Sequence, residues 1–113
     1  MLQKVGLVLG TFILAAGTAY ADPIEGNWRT ESGERAHISG GGTFSIVVKT
    51  GKNAGKRIGS LKATGGGKYS GTVLDPNENK SYSGKATVSG NSLTLSGCVL
   101  GGLICKNQTW SRM

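Results

Sequence analysis

Apolar and polar residues alternate along most of the chain after residue 22. Phe44, Ile46 and Val48 share one face of a run, and Leu93 and Leu95 share a face further on. Two more runs alternate in the same way: Tyr69, Gly71 and Val73, then Tyr82, Gly84, Ala86 and Val88. A period of two is typical of β-strands that bury one face. No stretch of this region shows the spacing of about 3.6 residues that indicates an amphipathic helix.

Segments rich in glycine and asparagine separate these runs, at residues 40–42, 51–55, 65–67, 75–79, 90–91 and 101–102. Both residue types adopt positive φ with little strain, so the segments predict turns, and Gly90-Asn91 predicts a two-residue hairpin. Short strands joined by hairpins predict an all-β fold, a small antiparallel meander of seven or eight strands. An open sheet would leave an apolar face in water, so we expect closure into a barrel or a tight sandwich.

The first 21 residues predict a cleaved signal peptide. Lys4 provides a positive start, residues 5–18 carry no charge, and Ala19-Tyr20-Ala21 places small residues at both positions of a cleavage site. A retained membrane anchor is the alternative, but the uncharged stretch is short for a bilayer span. We therefore expect a signal peptide over 1–21 and a single β domain over 22–113. The protein would be periplasmic or secreted, with membrane contact only through the signal peptide.

Chain length and composition limit the classes of protein. The chain has 113 residues, of which 20 are glycine, and a formal net charge of +7. This length allows one domain and excludes two-domain enzymes, doubly wound nucleotide-binding folds and (β/α)₈ barrels. A domain this small has a small hydrophobic core, so a covalent cross-link would add useful stability.

Both cysteines, Cys98 and Cys105, fall in the part expected to be exported. Two cysteines in an oxidising compartment predict a disulfide, which for so short a loop contributes about 2.5 kcal/mol in the chain-entropy model. Zinc binding is the weaker alternative, because zinc sites usually take four ligands and His37 is the one further obvious donor. We expect no metal and no cofactor.

The register of the last β-hairpin, on either side of residues 100–103, can be predicted from its loop length. A four-residue loop over 100–103 makes Val99 face Ile104. Cys98 then faces Cys105 at a non-hydrogen-bonded pair, where side chains lie closest and a disulfide is least strained.

The same alternation points two polar residues of the last run, Lys106 and Gln108, inward with Trp110. A bulge that re-phases the strand, or a position at the rim, is the preferred interpretation. A small polar pocket is the alternative.

Three segments of the chain are distinctive. They are Asp22-Pro23-Ile24-Glu25-Gly26-Asn27-Trp28, then Asp75-Pro76-Asn77-Glu78-Asn79-Lys80-Ser81-Tyr82, then Gly97 to Cys105 with Gln108-Thr109-Trp110-Ser111-Arg112. Together they resemble a family of small exported bacterial proteins catalogued as domain of unknown function twenty-one forty-seven. The motif residues are Asp22, Pro23, Gly26, Trp28, Asp75, Pro76, Tyr82, Gly97, Gln108, Thr109, Trp110 and Arg112. The resemblance implies a periplasmic or secreted β domain and no assigned activity, and residues 32–67 depart from the family pattern.

Trp28 and Trp110 lie near the two ends of the expected mature chain, each followed closely by an arginine. The preferred interpretation is that the first and last strands are neighbours and the two indoles plug the core between them. The alternative is an aromatic-lined ligand mouth at the end of a barrel. In so short a chain we expect the barrel interior to be filled mainly by its own side chains.

The densest basic segment contains Lys49, Lys52, Lys56 and Arg57. Its glycine spacing does not match a phosphate-binding P-loop. A solvated hairpin tip is the preferred interpretation. The alternative is an anion-binding surface for phospholipid headgroups, lipopolysaccharide or an acidic cell-wall polymer.

The sequence offers little support for catalysis or for nucleic-acid binding. His37 is the single histidine, and Asp75 and Glu78 lie in a turn-forming segment, so no nucleophile, base and orienting group are spaced as a set. Export and the lack of aromatic residues within the basic segment argue against nucleic acid. We expect a monomeric, non-enzymatic domain that binds an envelope component or a small ligand. A protease-type inhibitor is the alternative, and an enzyme of unknown class the second alternative.

Native mass spectrometry of protein recovered from the periplasm tests the processing prediction. The expected mass is that of residues 22–113 less two hydrogens, because cleavage after Ala21 and oxidation of Cys98 and Cys105 are both predicted. A mass that retains residues 1–21 would contradict cleavage. Bound small molecules would appear as additional mass.

Overall fold

The computed structural model describes residues 22–113, and the predicted signal peptide over 1–21 lies outside the described residues. The described chain forms eight strands. Their bounds are β1 Gly26–Arg29, β2 Arg35–Ser39, β3 Thr43–Val48, β4 Arg57–Gly65, β5 Lys68–Asp75, β6 Lys80–Ser89, β7 Ser92–Val99 and β8 Ile104–Arg112. One short 3₁₀ turn, Leu100–Gly102, joins β7 to β8.

Every strand pairs antiparallel with its neighbour along the chain, and β8 returns to β1, so the sheet closes as an up-and-down barrel. This confirms the all-β prediction and the expected number of strands. In such a meander the loops alternate between the two ends of the barrel. The β1–β2, β3–β4, β5–β6 and β7–β8 loops lie at one end, called the open end below. The remaining hairpins and the start of β1 lie at the other, closed end.

The strand registers follow the hydrophobic alternation of the sequence. Phe44, Ile46 and Val48 are buried on β3, and Leu93 and Leu95 are buried on β7. The Gly90-Asn91 hairpin is confirmed, because Ser89 pairs with Ser92 across it.

The half of the barrel nearest the closed end is filled by its own side chains. Fully buried Trp28, Ile38 and Leu93 lie in one hydrophobic cluster with Phe44 and Tyr69. The rings of Phe44 and Tyr69 meet edge to face, with centroids 5.7 Å apart. Such pairs add about 0.5–1.5 kcal/mol beyond the burial of their area.

Residues 22–25 close this end like a plug. Ile24 is fully buried, and its carbonyl oxygen accepts a hydrogen bond from Trp28 Nε1 at 2.8 Å. Tyr69 donates its hydroxyl hydrogen to Asp22 Oδ1. The Arg112 guanidinium lies 4.2 Å from the centre of the Trp28 ring and donates to the carbonyl oxygen of Glu25 at 3.1 Å. The plug is therefore tied to β1, β5 and β8.

Three glycines are aligned across β5, β6 and β7. Gly71 pairs with Gly84, and Gly84 pairs with Gly97, so the three form a row across the strands. A Cβ at Gly71 would lie 2.0 Å from the carbonyl oxygen of Ser60, and one at Gly84 would lie 2.7 Å from Val73 Cγ1. No larger residue fits either position without moving backbone or core atoms.

The plug generates a prediction about alkaline pH. Burial, with the hydrogen bond to Asp22, raises the pKa of Tyr69 from 10.0 to about 12. A raised folded-state pKa stabilises the fold below pH 10, and this stabilisation is lost as the pH rises toward 12. The difference between the two pKa values corresponds to a stabilising free energy on the order of 2 kcal/mol. Tyr69→Phe removes this contribution, so the stability advantage of the wild type over the variant should shrink across this interval.

Urea unfolding of both proteins at several pH values between 9 and 12 measures the effect. All other titrating groups are shared, so the difference in unfolding free energy isolates Tyr69. A difference that stays constant across the interval would contradict the assignment.

Candidate functional site

The half of the barrel nearest the open end, together with its loops, is incompletely filled and open to solvent. It contains a cavity of about 980 Å³. Its apolar lining includes Val48, Ile58, Val73, Tyr82 and Leu95, with the nearly buried Trp110 at its inner end. The expectation of an interior filled by side chains therefore holds for one half of the barrel and is wrong for the other.

Two polar side chains of β8 face this cavity. Pairing between β7 and β8 is continuous from Ile104 to Ser111, so there is no bulge in that ladder. Lys106 and Gln108 therefore share the inward face with Trp110, and both line the cavity. Gln108 Oε1 accepts a hydrogen bond from Trp110 Nε1 at 2.9 Å. The bulge that the sequence favoured is therefore wrong. The other part of that interpretation, a position at the rim, fits Lys106, which is exposed toward the mouth, and both residues line the cavity.

Hydrogen bonds between loops shape the rim. Glu34 Oε1 accepts from the Thr50 hydroxyl at 2.6 Å, which joins the β1–β2 loop to the β3–β4 loop. Asn53 Nδ2 donates to Asn77 Oδ1 at 3.2 Å and joins the β3–β4 loop to the β5–β6 loop. Asp75 Oδ1 accepts from the amide of Asn77 at 2.9 Å within its own turn. Three of the four loops at the mouth are thus connected.

The barrel wall is incomplete beside the cavity, because β1 is much shorter than β8. The two strands share two residue pairs, Ser111 with Arg29 and Arg112 with Trp28. Thr109 donates its amide hydrogen to Glu31 Oε2 at 2.9 Å. Nearer the mouth, no strand of the described chain pairs with this edge of β8. Beside this edge of β8, the β1–β2 loop lines the cavity in place of a strand, through Thr30, Ser32 and Glu34.

The disulfide lies at the same end. Cys98 and Cys105 are bonded, and they form a cross-strand pair with Cα atoms 4.1 Å apart, which confirms the predicted pairing and register. Beyond it, four apolar residues are exposed at the mouth, and we call them the apolar tip: Val99, Leu100, Leu103 and Ile104.

The basic segment, expected as a solvated hairpin tip with an anion-binding surface as the alternative, forms the β3–β4 loop and the start of β4. Lys49, Lys52, Lys56 and Arg57 are all exposed, and Lys52 lines the mouth of the cavity. We call these four residues the basic hairpin.

Of the remaining chemistry candidates, Asp75 and Glu78 line the cavity, whereas His37 lies apart from it. His37 Nδ1 hydrogen-bonds Asn27 Oδ1 at 2.9 Å on the barrel surface. Among residues 22–113 no group of three or more His, Cys, Asp or Glu side chains is arranged to hold a metal ion. Over the same residues, no helix is long and apolar enough to cross a membrane.

Comparison with known proteins adds a family to this description. The model of the family described as uncharacterized protein conserved in bacteria, DUF2147, matches residues 26–112. The chain belongs to the DUF2147 family. The match runs through residues 32–67, the stretch that departs from the pattern expected for DUF2147. No curated protein and no solved structure matches the chain.

The residues expected to carry the DUF2147 motif occupy two regions of the barrel. Those at the closed end are Asp22, Pro23, Gly26, Trp28 and Arg112. Those lining the cavity are Asp75, Pro76, Tyr82, Gly97, Gln108 and Trp110. Thr109 lies on the edge of β8 that Glu31 covers. The two tryptophans thus have different surroundings: Trp28 is fully buried beneath Arg112, whereas Trp110 contacts the cavity.

Sequence reasoning missed the apolar tip. Leu100 and Leu103 flank a Gly-Gly turn, where polar residues are the usual choice, and this was the available signal. It also missed the plug, since the burial of Ile24 depends on contacts with strands that are distant in sequence.

Replacing both cysteines by serine tests the role of the disulfide. The double variant Cys98→Ser/Cys105→Ser should lose about 2–3 kcal/mol of unfolding free energy, because its unfolded chain, without the cross-link, has more conformational entropy than that of the wild type. Denaturant unfolding of the oxidised wild type and the double variant measures this. Equal midpoints would show that the β7–β8 pairing holds the hairpin without the bond.

Proposed function

We propose that this DUF2147 protein binds one small anionic amphiphile in the cavity of the open half. The observation that carries the proposal is the cavity itself, about 980 Å³, with apolar side chains at its inner end and polar and charged ones toward its mouth. Eight-stranded barrels are wide enough to hold one small ligand, and ligand sites are typically concave and apolar with a few polar groups.

The change from apolar side chains at the inner end of the cavity to charged ones at its mouth supports an elongated ligand with one polar end. Trp110, Leu95 and Val73 are nearly buried and provide apolar surface at the inner end. Charged side chains occur toward the mouth, where the lining includes Lys52 and Lys106 together with the carboxylates Glu34, Asp75 and Glu78. A hydrocarbon chain would therefore lie inward, because burying it removes apolar surface from water, and a charged headgroup would lie at the mouth.

The position of Lys106 in the cavity supports an anionic headgroup. The lining carboxylates lie in or beside the rim loops: Glu34 accepts the Thr50 hydroxyl, Asp75 accepts amides of its own turn, and Glu78 is exposed. Lys106 lies on the inward face of β8, opposite Gly97. A lysine at this position attracts an anionic headgroup such as a carboxylate. Fatty acids combine such a headgroup with a chain of suitable size.

A binding role agrees with the predicted envelope location, which stays a prediction along with the expected monomer. The inhibitor and enzyme alternatives also stay predictions. No observation in the described structure favours either of them over ligand binding.

Fluorescence quenching by laurate brominated at its terminal carbon tests ligand binding. Bromine quenches tryptophan on contact, so a bound chain that reaches Trp110 should quench its emission, saturating at one ligand per protein. Trp110→Phe should abolish most of the quenching, whereas Trp28→Phe should retain it. Quenching that survives Trp110→Phe unchanged would place the ligand elsewhere.

The headgroup assignment has its own test. Lys106→Met should weaken binding of laurate several-fold, since it removes the cation that faces the carboxylate, and should leave binding of lauryl alcohol unchanged. Lys85→Met is the matched control, because Lys85 is exposed on β6 at a position that points outward and changes net charge equally. Equal losses for Lys106→Met and Lys85→Met would contradict a specific contact.

A further inference from the structure

The apolar tip is largely exposed to solvent, although its side chains are hydrophobic. Leu103 is 85 % exposed, Leu100 68 % and Ile104 57 %. These side chains bury little surface, so they contribute little to the stability of the barrel. Val99 and Ile104 also line the cavity, whereas Leu100 and Leu103 do not, so the two leucines are a surface that the fold does not explain.

The backbone of the tip adds a second observation. Leu100 has φ 54°, in the left-handed region that favours glycine and asparagine and that strains a leucine. A leucine at this position gains neither packing nor a relaxed backbone. Its apolar side chain is instead displayed to solvent, held by a strained turn beside the Cys98–Cys105 bond.

The surroundings of the tip indicate its partner. The β7–β8 and β3–β4 loops lie at the same end of the barrel and on opposite sides of its mouth. The basic hairpin therefore stands across the cavity from the apolar tip. Residues 35–74, which include it, contain no aspartate or glutamate. The acidic residues at this end lie in the β1–β2 loop and in or beside the β5–β6 loop. Glu31, Glu34 and Asp75 accept hydrogen bonds there, and Glu78 is exposed.

We propose that the open end of the barrel docks on an anionic lipid bilayer. The apolar tip enters the boundary between headgroups and acyl chains, and the basic hairpin contacts headgroup phosphates. Apolar side chains alone would also fit a protein partner. Their combination with exposed cations across the mouth favours a lipid surface, which is apolar just beneath a layer of negative charge.

This docking goes beyond ligand binding and departs from the expectation that membrane contact is limited to the signal peptide. It brings the mouth of the cavity against the membrane, so an amphiphile could pass between bilayer and barrel with little exposure to water. The docking itself requires no bound ligand, so the two proposals can fail separately.

Co-sedimentation with vesicles tests the docking. Protein whose mass shows that residues 1–21 are absent is mixed with vesicles of phosphatidylcholine containing one-third phosphatidylglycerol, or of phosphatidylcholine alone. The wild type should bind the anionic vesicles at least tenfold more strongly than the neutral ones, and added salt should weaken this binding. The double variant Leu100→Asn/Leu103→Ser should bind at least tenfold more weakly, and asparagine tolerates the backbone at residue 100.

The charge contribution is tested by Lys52→Gln/Lys56→Gln/Arg57→Gln, which should reduce binding to anionic vesicles at least tenfold. Its matched control is Lys62→Gln/Lys68→Gln/Lys85→Gln, which removes the same charge away from the open end and should retain most of the binding. Equal losses for the two triple variants would overturn the proposal, since they would indicate attraction to net charge alone. Unchanged binding of the leucine double variant would also overturn it.

Two further measurements separate the outcomes. Urea midpoints of all variants should match the wild type, which excludes unfolding as the reason for lost binding. Quenching by brominated laurate in vesicle-free solution reports on the cavity alone, so a negative vesicle result with normal quenching would reject docking and leave ligand binding intact. If the wild type fails to bind anionic vesicles, the lipid proposal is wrong, and a protein partner for the tip becomes the hypothesis to pursue.

Discussion

Closure of the barrel depends on one small contact region, where the last strand meets the first. A meander of antiparallel strands needs only neighbouring pairs until this point, but β8 and β1 share just two residue pairs. So few backbone hydrogen bonds could not hold the ends together alone. The side chains around them supply the rest, since Arg112 lies over Trp28 and also donates to the backbone of the plug, whose Ile24 is buried.

Concentrating the core at this closure leaves the opposite end incompletely filled. The large buried residues Trp28, Phe44 and Tyr69 are gathered where the chain ends meet. A short chain with many glycines has few large side chains left to fill the other half. The glycine row across β5, β6 and β7 supplies no side chains of its own there. The cavity thus results from the location of the large side chains at the closed end. The loops at its rim are stabilised by hydrogen bonds instead of by packing.

Local sequence rules predicted much of the fold and less of the site. Alternation identified the buried faces of β3 and β7, and the Gly90-Asn91 hairpin and the cysteine register followed from turn length. The inward direction of Lys106 and Gln108 was also visible, but a polar residue facing a barrel interior suggested a bulge. Whether the interior was filled depended on the summed volume of side chains from all eight strands, which no local pattern reports. The plug and the exposure of the tip depended on tertiary contacts in the same way.

The two ends of the barrel are stabilised by different means, and this difference bears on function. The closed end is fixed by buried side chains, so a change there would affect the whole fold. The β7–β8 hairpin projects beyond the core with little burial, and its register is maintained by a covalent bond that needs no packing. A hairpin held in this way can carry exposed leucines without depending on their burial for its shape. The arrangement allows the surface around the cavity mouth to be apolar while the stability of the barrel remains at the opposite end.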